Sequence, residues 1–77
     1  MTRVRYFAAA EEAAGVGEEV RDEPTLGRLR QALQADHPAL EPILPRCAVL
    51  VDGARKDDAT ALTDATTVDV LPPFAGG

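Results

Sequence analysis

The 77-residue sequence has few of the side chains that disulfide, metal and redox proteins depend on. It contains one cysteine, Cys47, and one histidine, His37. A single cysteine cannot form a disulfide within the chain, and these two side chains are too few for a typical zinc site. The sequence therefore predicts a fold stabilised by packing alone, with no metal, in a reducing compartment such as the cytoplasm.

Long apolar runs and clusters of basic residues are also missing. No run approaches the ~20 residues of a membrane-spanning helix, and no charged segment followed by an apolar one opens the chain, so we expect a soluble, unprocessed protein without a membrane partner. Eight basic residues stand against 13 acidic ones, for a net charge of −5. Nucleic acid binding needs a clustered basic surface, so nucleic acid is not expected as a partner, whereas a protein with a basic pocket is.

Large apolar side chains are scarce as well. There is no tryptophan, one tyrosine and two phenylalanines, and 14 of the hydrophobic residues are alanines. A chain of this length forms one domain and removes only about 60% of its unfolded surface from water. Any large apolar side chain that stays exposed is therefore a candidate for binding.

Hydrophobic alternation predicts the strands. The segments TRVRYF, EEVRD, CAVLVDG and TVDVL read as strands, and a short return strand lies within ARKDDATALTDATT. Asp52-Gly53 is a dipeptide typical of a tight hairpin turn. The connection that follows the short return strand is the part of the topology that the pattern defines least.

One long helix and one short helix are expected. In PTLGRLRQALQADHP, Thr25 is placed to cap the first turn, Leu26, Leu29 and Leu33 share one face, and Pro38 ends the helix. AAAEEAAG predicts a short helix that stops at Gly15. Strands surrounding a single long helix indicate an α+β grasp, with a mixed sheet and the helix packed across one of its faces.

The chain ends in VDVLPPFAGG, which predicts a domain over residues 1–71 and a flexible tail over residues 72–77. Two prolines cannot donate to a sheet ladder, so the chain should leave the sheet after Leu71. Six extended residues reach roughly 20 Å, enough to enter the active site of another protein. The alternative is a frayed terminus without function. The tail residues and their expected roles are Pro72 and Pro73 for stiffness, Phe74 as an anchor, and Ala75, Gly76 and Gly77 for passage through a narrow channel.

The ending LPPFAGG, the opening VRYFAA with its Ala/Glu-rich turn, the leucine-spaced helix and VLVDG together resemble the small subunits of molybdopterin synthase, within the MoaD/ThiS superfamily of ubiquitin-like sulfur carriers. The resemblance covers essentially the whole chain, and the double proline points to the molybdopterin branch. It implies a β-grasp fold and a carrier without catalytic residues or bound cofactor of its own.

The resemblance also implies the chemistry. A ubiquitin-activating-type adenylyltransferase would consume ATP to adenylate the carboxylate of Gly77, a sulfur donor would replace AMP to give a thiocarboxylate, and the large synthase subunit would use that sulfur to build the dithiolene of molybdopterin. It further implies a docking patch for both partners on the sheet face away from the helix, and alternation assigns Phe7, Leu50 and Leu71 to that face. The alternative is that these side chains fold under a loop.

Other interpretations remain open from the sequence. The sulfur could serve cysteine or thiazole synthesis, the tail could be conjugated to protein lysines, or the chain could be a binding module without covalent chemistry. Sulfur carried on Cys47 is disfavoured because nothing beside it lowers a thiol pKa. His37 is interpreted as a capping or solvated residue, and Asp57-Asp58 as a solvated turn.

Overall fold

The fold, described for residues 1–73 by a computed structural model, contains the predicted strands and helices in the predicted order. Two 3-10 helices, Pro38–Leu40 and Leu44–Arg46, lie in the connector after the main helix. The other elements are β1 (Thr2–Tyr6), α1 (Ala9–Ala14), β2 (Glu18–Arg21), α2 (Leu26–Asp36), β3 (Ala48–Val51), β4 (Ala54–Arg55) and β5 (Thr67–Leu71).

The five strands form one mixed sheet in the order β2-β1-β5-β3-β4. The central pair, β1 and β5, is parallel, and the other pairs are antiparallel. This confirms the predicted β-grasp. β1 and β5 run in the same direction, and β3 runs antiparallel to them. The last residues of β1 and β5 and the first residues of β3 therefore lie at the same end of the strands, which we call the tail end of the sheet.

The core lies between the sheet and α2, as the alternation predicts. Thr25 caps α2 by accepting a hydrogen bond from the backbone N–H of Arg28 at 3.3 Å, and the three leucines of this helix are buried. The inward-facing strand residues complete the core, together with two leucines of the connector: Val4, Tyr6, Val49, Val51, Val68, Val70, Leu40 and Leu44.

Two glycines end elements where the sequence predicts. Gly15 has φ +79° and its N–H donates to the carbonyl of Glu11 at 2.9 Å, which ends α1 in a left-handed cap. Asp52 and Gly53, with φ of 51° and 85°, form the turn between β3 and β4. Both positive φ values fit the type I′ hairpin turn expected for this dipeptide.

The loop between β4 and β5 crosses the beginning of α2 and is held there by backbone hydrogen bonds. The N–H of Leu26 donates to Thr60 at 3.0 Å, that of Gly27 donates to Asp58 at 2.9 Å, and that of Leu62 donates to Pro24 at 3.0 Å. The first two bonds satisfy N–H groups that the first turn of a helix leaves free, and the third joins the loop to the residue before the cap of α2. Within residues 1–73, no helix has the length and hydropathy needed to cross a membrane.

Candidate functional site

The tail root is the point where the chain leaves the sheet. β5 ends at Leu71, as expected from the two prolines that follow. Pro72 is nevertheless buried, and only Pro73 is exposed. The apolar ring of Pro72 lies beside the start of α1 and the connector, so the segment able to project begins no earlier than Pro73. Phe74, Ala75, Gly76 and Gly77 lie outside the described residues, and the five residues from Pro73 to Gly77 can extend at most about 18 Å.

Three half-buried apolar side chains lie beside this root, on the sheet face away from α2. They are Phe7, Leu50 and Leu71, the residues that alternation assigns to that face. The N–H of Phe7 donates to Val70 at 3.2 Å, which continues the parallel ladder and sets Phe7 next to Leu71. Leu50 pairs with Asp69, one step diagonal from Leu71. We call these three side chains the open-face patch.

Charged residues border the open-face patch on the β1 side. Arg5 donates from Nε and Nη2 to the two carboxylate oxygens of Asp69, at 2.6 and 2.9 Å. The Arg5 guanidinium carbon also lies 5.6 Å from the centre of the Phe7 ring, within the range of a cation–π contact. The bidentate pair holds Arg5 beside Phe7, so the apolar patch ends at a charge that is already neutralised.

Cys47 occupies the end of the core, as its interpretation as a packing residue predicts. The side chain is buried and its Sγ donates to the carbonyl of Ile43 at 3.3 Å. Burial raises the pKa of the thiol, against a smaller opposite effect of Arg30. A buried neutral thiol is a poor nucleophile, so the site does not favour sulfur transfer through this side chain.

His37 is more constrained than a solvated cap. Its backbone N–H donates to the carbonyl of Leu33 at 2.9 Å at the end of α2, but Nε2 of its ring lies 2.7 Å from Oε2 of Glu19. The ring also meets Tyr6 edge to face, with 5.9 Å between centroids. No pattern in the sequence indicates this contact, since Glu19 is eighteen positions away and lies on an edge strand.

The remaining acidic candidates serve the fold. Asp57 accepts from the N–H of Ala59 at 3.0 Å, which stabilises a turn, and Asp58 pairs with Arg30 at 2.9 Å. The two carboxylates are thus used separately. No group of three or more His, Cys, Asp or Glu side chains in residues 1–73 is arranged to hold a metal ion.

Known proteins similar to this chain include molybdopterin synthase subunits and an archaeal modifier protein. The molybdopterin synthase sulfur carrier subunit of Chlamydomonas reinhardtii is 36% identical over 80 residues, covering 97% of this chain and 96% of that protein. A chain in the complex of subunits 1 and 2 of the molybdopterin-converting factor from Helicobacter pylori is 27% identical, with a TM-score of 0.74 and coverage of 99% and 97%. SAMP1, the small archaeal modifier protein 1 of Haloferax volcanii, is 25% identical, with a TM-score of 0.78 and coverage of 99% and 98%.

The similarity spans the whole architecture rather than one motif. Both solved structures align over nearly all of this chain, so they share its ubiquitin-like fold. The profile of the ThiS family matches residues 4–77, from the first strand to the last residue. The chain belongs to the ThiS family.

Proposed function

We propose that this protein is a sulfur carrier, the small subunit of a molybdopterin synthase, and that it delivers sulfur as a thiocarboxylate on Gly77. The observation that carries the proposal is the position of the tail root. The central strand β5 runs out of the sheet at two prolines, beside a half-exposed apolar patch and four residues before the carboxylate. The 36% identity to a molybdopterin synthase sulfur carrier subunit supports the same assignment.

The proposed chemistry begins with activation, because an ionised carboxylate resists nucleophiles. A partner adenylyltransferase, with ATP bound in its own site, would let the Gly77 carboxylate attack the α-phosphate and release pyrophosphate. Sulfur at the oxidation level of sulfide, supplied by a donor, would then attack the acyl carbon and expel AMP, which leaves the thiocarboxylate. Gly76 and Gly77 would contribute only an unobstructed backbone, since neither has a Cβ.

The large subunit of molybdopterin synthase would be the acceptor of this sulfur, which it uses to form the dithiolene. The open-face patch, Phe7, Leu50 and Leu71, is proposed to dock that subunit and the adenylyltransferase. Its location suits the task because it lies at the tail end of the sheet, so docking there brings the tail to the partner. The complex of subunits 1 and 2 from H. pylori shows that such a pairing exists for a protein of this fold.

A second candidate function is protein conjugation, favoured by the similarity to the archaeal modifier SAMP1. It begins with the same adenylation, but the acyl group is transferred to a lysine amine instead of being converted to a thiocarboxylate. Sulfur delivery for cysteine or thiazole synthesis shares the thiocarboxylate and differs in its acceptor. A binding module would perform no chemistry on Gly77.

Intact mass measurement after charging separates these functions. The chain is incubated with its adenylyltransferase, ATP and a sulfur donor, and we expect a mass gain equal to sulfur minus oxygen, located on Gly77 and reactive with a thiol alkylator. A chain without Gly77 is the control and should gain nothing. Charged protein should then yield dithiolene with the large subunit. Charging without dithiolene would favour another sulfur acceptor, adducts on lysine would favour conjugation, and an unchanged mass would leave only the binding module.

A further inference from the structure

A small apolar notch lies at the tail root, on the side opposite the open-face patch. It has a volume of about 80 Å³ and is lined by Ala9, Ile43, Arg46, Pro72 and Pro73. We propose that this tail notch is a second docking site, which receives an aliphatic side chain of the large synthase subunit beside a carboxylate that pairs with Arg46. The inference rests on the proposed function and extends it to a contact that the open-face patch does not supply.

The size of the tail notch restricts its occupant. An engineered protein cavity of about 150 Å³ holds a benzene molecule, and the notch has about half that volume. It therefore suits a small aliphatic side chain such as valine or leucine better than an aromatic ring. The walls are apolar apart from Arg46, so an aliphatic group there exchanges water for matching contacts.

The position of the notch explains why the tail-accepting partner would fill it. Ala9 begins α1 and Ile43 belongs to the connector, and both elements pack on the side of the sheet that carries the core. Phe7 and Leu71 lie on the other face. The tail root therefore runs between two apolar surfaces. A partner that encloses the tail has to contact the root from both sides.

The positive charge of Arg46 indicates which chemical group of the partner would lie beside the notch. Arg46 is exposed and lines the notch. Within residues 1–73 it makes no ion pair, which is also true of Arg28, Arg55 and Lys56, but none of those three lines the notch. The chain as a whole carries a net charge of −5. A cation without an internal partner beside the notch is complementary to a carboxylate, and a charge-assisted pair there would fix the orientation of the entering tail.

Two variants test the two halves of the site. Arg46→Glu reverses the charge, and Ala9→Leu fills the notch at an exposed position in the first turn of α1. We expect each to weaken binding of the large subunit by about tenfold, with a matching loss of kcat/KM for sulfur transfer. The matched controls are Arg28→Glu and Ala35→Leu, at exposed positions on α2 that do not line the notch, and these should change binding less than twofold. Thermal denaturation confirms that all four variants fold.

Several outcomes would overturn the proposal. Wild-type affinity in both Arg46→Glu and Ala9→Leu would show that the notch is not a docking site, even if wild-type protein is charged and yields dithiolene. A loss seen only with the adenylyltransferase would assign the notch to that enzyme instead. If Phe74→Ala abolishes the effect of Ala9→Leu, the occupant is the chain's own Phe74. Failure of wild-type protein to charge would count against the proposed function, which the charging assay reports separately.

Discussion

His37 at the end of α2 and Glu19 on the edge strand β2 are joined by a contact of 2.7 Å between Nε2 and Oε2. Arg21 extends this link, since its Nη1 lies 3.0 Å from Glu19 and 2.8 Å from Asp36 and its Nη2 lies 2.9 Å from Glu23. β2 contributes little to the apolar core, and Val20 on this strand is 57% exposed. The ion pairs and hydrogen bonds among Glu19, Arg21, Glu23, Asp36 and His37, which we call the polar cluster, therefore make much of the side-chain contact between β2 and the end of α2.

This cluster predicts that stability decreases in acid. Burial by itself would raise the pKa of Glu19, but hydrogen bonds from His37 and Arg21 outweigh it, and the pKa is lowered. The pKa of Glu23 is lowered by its hydrogen bond to Arg21. Carboxyls with a lowered pKa in the fold stabilise it above their unfolded pKa of about 4.3, and that stability is lost as pH falls through the folded pKa.

The measurement is the free energy of unfolding in urea at a series of pH values between neutral and strongly acidic. Glu23→Gln should lower stability at neutral pH by about 1–2 kcal/mol, because it replaces a charged hydrogen bond. It should also reduce the dependence on pH. Glu12→Gln, at an exposed position on α1, is the control. Equal pH dependence in wild type and Glu23→Gln would contradict the role of the cluster.

Gly27 predicts a reversal of the usual effect of alanine in a helix. Alanine normally stabilises a helix interior by about 1 kcal/mol relative to glycine. A Cβ at Gly27, however, would lie 2.9 Å from Cβ of Asp58 and 3.2 Å from its carbonyl oxygen. The loop that crosses α2 would have to shift, and the N–H of Gly27 would lose its bond to that carbonyl.

We therefore expect Gly27→Ala to destabilise the fold by about 1–3 kcal/mol, in the range of overpacked sites. Urea denaturation measures the change, and Gln31→Ala on the exposed side of the same helix serves as the control for helix propensity. Stabilisation by Gly27→Ala would show that the loop between β4 and β5 is not held against α2.

Local patterns in the sequence were sufficient for the elements of this fold, because each depends on neighbours along the chain. Leu26, Leu29 and Leu33 define the buried side of α2, and Asp52-Gly53 defines the hairpin turn. The alternation of β1 and β5 assigns Phe7 and Leu71 to one face. These predictions need only the periods of helices and strands.

Three features could not be predicted because they depend on contacts between distant segments. The loop between β4 and β5 is joined to α2 by backbone hydrogen bonds, such as that from Leu26 to Thr60, and these bonds do not require particular side chains. The contact of His37 with Glu19 requires the register of β2 against β1. Burial of Pro72 depends on how α1 and the connector close the tail end of the sheet, whereas its sequence indicated only that the sheet ends there.

The buried position of Cys47 predicts that its side chain takes no part in sulfur transfer. Because the thiol is buried and its pKa is raised, alkylation of the folded protein should be far slower than that of the chain in denaturant. Cys47→Ala should fold with a loss of about 1 kcal/mol and should still gain sulfur on Gly77. Rapid alkylation of the folded protein, or loss of charging in a folded Cys47→Ala chain, would restore the rival route through this thiol.

We expect polar substitutions in the open-face patch to weaken partner binding while the protein still folds. Leu71 is half-buried at the end of β5, and Phe7 lies next to it, so Leu71→Ser and Phe7→Ser remove apolar contact area that a partner would bury. The minority of interface residues whose truncation costs more than about 1 kcal/mol cluster at the centre of the contact, so each variant should weaken binding of the large subunit by about tenfold. Isothermal titration with the purified large subunit measures the Kd.

Val20→Ser is the matched control for the patch. Val20 lies on the same sheet face as Phe7 but on β2, at the opposite edge from β4, and it is 57% exposed. Val20→Ser therefore removes exposed apolar surface of the same kind, but at a position that does not lie beside the tail root. The Kd of this variant for the large subunit should stay within twofold of the wild-type value. Equal losses in Val20→Ser and Leu71→Ser would mean that the whole face binds through general hydrophobicity, and the patch would then have no particular connection with the tail.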